Sequence, residues 1–235
     1  MKRLLLCIVI GAVLGCDMPR HLRYAESNAS SVIGIALNVK LYNALLKEQT
    51  TVYFVKLDEK DKNNLGTKII PCNYYRGYMV SEYYAYLVNA EPGTYAAVCS
   101  TKYETFATDA ITASKATEVG YITMFDSNII KNSITEVGPG QIAFMGSFSI
   151  ESKIKSVYMN IEKNGDQAQQ HYYSQLKPFL EGTYFLGALV KADRSNRSTR
   201  QFLVTTKEFF RNSDWLKIIT NAITAFDKTV EGQSL

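Results

Sequence analysis

The side chains able to do covalent or proton chemistry in this 235-residue chain are few. It has four cysteines (Cys7, Cys16, Cys72, Cys99) and two histidines (His21, His171). No HExxH and no CxxC is present, so no run of residues has ordinary metal-ligand spacing. A GxxxxGK[ST] phosphate loop and a GxSxG nucleophile elbow are also missing. Neither a cofactor nor a metal is expected. His171, within Gln170-His171-Tyr172-Tyr173, reads as a half-buried helix residue rather than a general base. The 22 acidic residues show no spacing that singles out a carboxylate pair. The expectation is a non-enzymatic binding or adhesion module. A hydrolase with a two-carboxylate site is the competing reading.

Two constellations suit recognition instead. Eight of the sixteen tyrosines fall between residues 74 and 103, six of them crowded around Arg76. Tyrosine offers a stiff, amphipathic contact surface, fitted to protein or sugar. Tyr84 and Tyr86 share strand parity and are expected to pack inside. Tyr74, Tyr75, Arg76 and Tyr78, near turns, are the expected surface patch. Arg194, Arg197 and Arg200 recur every third residue in a Ser/Asn-rich stretch that reads as a loop. Such a loop suits an acidic glycan or an anionic headgroup. The net charge of +4 is too mild to argue for nucleic acid.

The N-terminus carries an address. Lys2 and Arg3 precede an apolar run from Leu4 to Leu14, too short to span a bilayer. The run ends in Val13-Leu14-Gly15-Cys16, which resembles the lipobox of bacterial lipoproteins. The resemblance implies cleavage before Cys16, a diacylglycerol thioether on its sulfur and an acylated (palmitate-type) amine. Several acyl chains, at ~0.8 kcal/mol per buried methylene, give stable anchoring. It also implies a cell-envelope location, which adds envelope assembly to the expected roles, and a membrane contact through lipid; the outer membrane is expected rather than the inner, although Asp17 after the cysteine does not fix it. Residues 1–15 are then a signal peptide and 16–30 a lipidated tether. Loss of the leader leaves 24 basic against 22 acidic residues, so charge favours no partner.

Cys72 and Cys99 remain. In an oxidising envelope an even pair reads as one disulfide. It would close 28 residues and contribute roughly 3–4 kcal/mol in the chain-entropy model.

Strict alternation over residues 33–41 (Ile33, Ile35, Leu37, Val39, Leu41) predicts a half-buried strand. β-branched and aromatic runs predict further strands over 51–57, 68–72, 83–88, 94–101, 120–124, 129–137, 141–150 and 155–161. Asp166 with Gln169 predicts a capped helix over 167–177, stopped by Pro178. Strands over 184–190 and 202–206 follow. Trp215, Ile218, Ile219, Ala222, Ile223, Phe226 and Val230 then predict a closing amphipathic helix. The expected fold is mainly β: an antiparallel β-sandwich over 31–162, with an α/β extension over 163–235.

One further likeness supports that fold. Tyr86-Leu87-Val88-Asn89-Ala90-Glu91-Pro92-Gly93-Thr94-Tyr95 resembles the strand, Pro-Gly turn, strand signature of transthyretin-like and carboxypeptidase-regulatory-like sandwiches. It is also similar to small sandwich domains of Gram-negative lipoproteins, in which a VYFVK-type strand precedes it. The likeness implies a chain reversal at Pro92-Gly93 and an inward Tyr95, and no catalytic residue.

Overall fold

The structure is a computed structural model that describes residues 18–40, 51–57, 65–66, 68–78, 82–107, 116–152 and 161–232. Its ten strands are β1 (Ser31–Lys40), β2 (Thr51–Leu57), β3 (Lys68–Pro71), β4 (Tyr74–Tyr78), β5 (Glu82–Ala90), β6 (Gly93–Ala107), β7 (Ala116–Phe125), β8 (Thr135–Val137), β9 (Ile142–Ser152) and β10 (Thr183–Asp193). Among the described residues five α-helices accompany them, besides a 3-10 turn at Arg20–Leu22: α1 (Ser127–Ser133), α2 (Ile161–Asn164), α3 (Gln167–Leu176), α4 (Asn196–Phe209) and α5 (Trp215–Gly232).

All ten strands join one sheet in the order β3-β2-β6-β7-β10-β9-β1-β5-β4, with β8 added to β6. The protein is mainly β, as expected, but it is not an antiparallel sandwich. β1 pairs with β9 and β7 pairs with β10 in parallel, so the sheet is mixed. It curls into a half-barrel. The two ends of the order are neighbours in the chain, because only Cys72 and Asn73 separate β3 from β4. One extended segment thus pairs with β2 in its first half and with β5 in its second. Asn73 makes the changeover. Its side-chain amide donates to Val88 O and its Oδ1 accepts from Val88 N, both at 2.8 Å, in place of ladder bonds.

Alternation sorts the side chains of β1 onto two faces. Ile33, Ile35, Leu37 and Val39 point into the curl and meet Phe54, Leu87, Phe148 and Ile150. Val32 and Ala36 point out, where Tyr84, Tyr86 and Val88 join them beneath α4 and α5. Phe202 of α4 lies over Gly34 and stacks on Phe144 at 4.3 Å between ring centroids. A Cβ at Gly34 would stand 2.4 Å from the Phe202 ring, so this seat requires glycine.

Four local expectations give way to tertiary context. Residues 129–137 form α1 and then β8, because the Asp126 carboxylate accepts from Ile129 N and starts a helix. Residues 202–206 lie in α4, which starts when Ser195 Oγ accepts from Ser198 N. Helical spacing there drops Phe202, Leu203 and Thr206 onto the sheet. At Pro92-Gly93 the chain passes from β5 to β6, but these strands do not pair: β5 lies between β1 and β4, β6 between β2 and β7. The signature marks a crossing rather than a hairpin, although Tyr95 is buried and donates to Glu91 O. The stretch expected as a tether is docked from Met18 onward, with Met18 and Leu22 buried in the outer core. The strand expected over 155–161 falls outside the described residues except for Ile161, which opens α2.

Candidate functional site

The helix expected from Asp166 and Gln169 forms with both halves of its capping box, each side chain bonding the other's backbone. Tyr172 and His171 then tie α3 to the segment 65–66. The Tyr172 hydroxyl donates to Leu65 O, and His171 Nε2 lies 3.4 Å from Gly66 O. This ties α3, which packs on β7, beside the end of the sheet formed by β2 and β3. Between them lies a cleft of about 430 Å³ lined by Tyr53, Ile69, Gln175, Leu176 and Phe179.

Tyr53 and Ile69 reach it by strand parity, since Val55 opposite Ile69 is two residues from Tyr53 on the same face. Phe179 sits in the turn after α3, where Phe179 N and Leu180 N both donate to Leu176 O. Phe179 is 81% exposed, a large apolar residue left in water at the cleft edge. Tyr173 and Tyr184 meet edge to face at 4.9 Å alongside, with Lys177 over the Tyr173 ring. The Gln175 amide lies 2.6 Å from His171 Nε2. Burial pushes the Tyr53 phenol up to about 12, helped by the nearby Cys99, Tyr103 and Cys72. At neutral pH Tyr53 is therefore a hydroxyl that can donate or accept, not a base. The cleft is apolar with a few hydroxyl and amide groups at its rim, which is the lining of a binding pocket.

A second, smaller hollow of about 200 Å³ lies on the outer face of β1, β9 and β10. Asn38, Ser149 and Lys191 form one cross-strand row and Ala36, Ser147 and Asp193 the next. Ser195 N donates to Asp193 Oδ1, and this bond lowers the Asp193 carboxyl below its usual range.

The structure disperses the residues singled out by sequence. Tyr74 is buried, 5.7 Å from Tyr86 and edge-on to Phe210 at 5.3 Å, because β4 places it on the outer face under α4. Arg76, on the same face, stacks over Phe209 at 4.6 Å. Tyr84 and Tyr86 are buried as their parity implied. Tyr75 is half exposed beside Tyr83. Tyr78 ends β4, and its side chain lies outside the described residues. The tyrosines are thus largely core, not patch.

The three arginines do not converge either. Arg194 donates to Ile134 O at 3.0 Å and to Thr135 Oγ1, pinning β8. Arg200 pairs with Asp227 of α5 at 2.9 Å. Arg197 stays exposed in the first turn of α4.

Cys72 and Cys99 are buried free thiols, not a disulfide. Strand β2 runs between them: Cys72 N donates to Val52 O on one side, and Cys99 pairs with Tyr53 on the other. Two strand spacings, about 9.6 Å, exceed the reach of a bridge. Burial pushes the Cys72 thiol up to about 11 and the Cys99 thiol further, so neither is a ready nucleophile. Cys16 lies outside the described residues. Among those residues no cluster of three His, Cys, Asp or Glu side chains could hold a metal, and no helix is long and apolar enough to cross a membrane.

The cleft was hidden from sequence reading because Phe179 follows Pro178 in what looked like a helix stop. An aromatic residue just past a proline was the only signal. No family model, no curated protein and no solved structure matches this chain.

Proposed function

We propose that the protein is a lipid-anchored bacterial cell-envelope component that binds a small amphipathic ligand, a sugar ring, in the cleft between α3 and the β2–β3 flank. It is held by acyl chains on Cys16, in the outer membrane rather than the inner, and acts without catalysis as a binding or adhesion module. The observation that carries the binding reading is the cleft of about 430 Å³ with Phe179 exposed at its edge. A pyranose ring lays its apolar C–H face on Phe179 or Tyr53, and its hydroxyls meet the Gln175 amide and the Tyr53 hydroxyl. The ligand is placed here rather than at the arginines because those do not converge: Arg194 is held by Ile134 O and Arg200 by Asp227.

The test is a titration of the protein with a panel of neutral and acidic oligosaccharides, read by calorimetry. Phe179→Ala is expected to weaken binding about tenfold, from the loss of ~1.4 kcal/mol of ring contact, with the melting temperature unchanged because the ring is exposed. Equal binding by the variant removes the cleft as the site. Cys16→Ser is expected to release the protein from membranes.

A further inference from the structure

The N-terminal stretch reads as a flexible tether, yet it is fixed to the body within two residues of the lipid-bearing cysteine. Met18 and Leu22 are 3% and 4% exposed and belong to the outer core with Phe210, Trp215 and Ile219. The indole of Trp215 donates to Leu22 O at 2.9 Å, and Asp214 N donates to Arg23 O at 2.9 Å. Arg23 Nε donates to Met18 O, and Glu26 N donates to Asn89 Oδ1. Only Asp17 separates Cys16 from this docked segment. Two residues of fully extended chain span at most ~7 Å.

Resting on the lipid-anchor reading above, we propose that the anchor does not let the body swing free. It sets one face of the body directly against the lipid headgroups. That face is the 3-10 turn Arg20–Leu22 with Tyr24, together with the turn between α4 and α5 that carries Arg211.

The chemistry of the face suits a lipid surface. Arg20, His21 and Arg211 are exposed, and Arg23 stands beside them, against the exposed acids Glu26 and Asp214. Cations near an anionic leaflet contribute about 1 kcal/mol each. Tyr24 is 63% exposed, and its amphipathic ring is fitted to the headgroup level. The occupant is therefore a phospholipid surface with anionic headgroups, and its effect is to fix which way the rest of the protein faces.

The test uses the full chain, acylated in a bacterium and reconstituted into vesicles of phosphatidylethanolamine and phosphatidylglycerol carrying a headgroup energy acceptor. Single donor labels go on Arg20→Cys, Arg211→Cys and Lys163→Cys, the last on α2. The buried Cys72 and Cys99 do not compete for label. Transfer is expected to be strongest from 20 and 211 and weakest from 163. Inserting ten Gly/Ser residues after Asp17 adds a coil of ~17 Å and is expected to lower transfer from 20 and 211. Equal transfer from all three positions with the acyl mass present on Cys16 overturns the apposed face alone. Absence of the acyl mass overturns both this inference and the anchor on which it rests.

Discussion

The two faces of the curled sheet are packed by different chemistries. The inner face is filled mostly by aliphatic side chains of the strands themselves, such as Ile33, Ile35, Leu37, Val52 and Ile150. The outer face over β1 and β5 is aromatic, with Tyr74, Tyr84, Tyr86, Phe202, Phe210 and Trp215 in contact. The inner core joins residues whose alternation is local. The outer core joins the chain's two ends, since Trp215 near the C-terminus bonds Leu22 near the N-terminus. An aliphatic interior tolerates a tight curl, whereas an aromatic layer covers a broad sheet face with few residues. The difference suggests where each core is weakest: the inner at its polar positions, the outer at its points of ring contact.

Breaking the outer core should have the largest effect. Trp215→Ala removes a fully buried indole and its hydrogen bond, and is expected to cost about 3–5 kcal/mol. Denaturant unfolding measures this, and hydrogen exchange should show residues 18–30 losing protection before the β1–β9 ladder. Simultaneous loss in both regions would show that the two cores are one cooperative unit.

Gly34→Ala places a methyl 2.4 Å from the Phe202 ring. It is expected to destabilise by about 1–3 kcal/mol through overpacking, read from the same unfolding midpoint. Removing the cap of α3 with Asp166→Ala strips the helix that forms the cleft wall, and is expected to cost about 1 kcal/mol.

Alkaline pH loads both layers, since burial also raises the phenol of Tyr86 in the outer core. Cys72 near the inner core titrates at about 11 in the fold against an ordinary 9.0, so the folded protein holds its proton longer than the unfolded chain. Stability from this group is full below pH 9.0 and falls as pH rises toward 11. Tyr53 and Tyr95, both raised to about 12, extend the loss upward. Urea midpoints that stay flat across this range would contradict the burial of these groups.

The smallest effect sharpens the inner core. Ser100 and Thr123 face each other across β6 and β7, fully buried, and neither hydroxyl has a hydrogen-bond partner among the described residues. Thr123→Val keeps the shape and removes an unpaired polar group, and is expected to raise the melting temperature slightly, by up to about 1 kcal/mol of stability.

Much of the strand inventory was readable, because period-two alternation survives in β1 and β-branched runs survive in β2 and β6. The cap at Asp166 was readable because two side chains at fixed spacing satisfy two helix-end donors. Misreadings cluster where short apolar runs fit either period. Ile129-Ile130 and Phe202-Leu203-Val204 fit a strand by composition, and in each a cap residue upstream makes a helix. The candidate cleft was scarcely readable: Tyr53, Ile69 and Phe179 are far apart in sequence and line one cleft only because α3 is tied beside the β2–β3 end of the sheet.

By itself, then, the sequence determined the composition that disfavours a metal or relay enzyme, the lipobox-like Cys16, most strand positions and the capped helix. These rest on local covalent chemistry and on spacings of a few residues. Only the tertiary structure decided that strands pair in a mixed, curled order and that Cys72 and Cys99 stand on opposite sides of β2. It also decided that five of the eight tyrosines between residues 74 and 103 are core and that Met18 is docked rather than free. Each of those depends on which distant segments share a face, and that is set by the burial of whole layers rather than by any local signal.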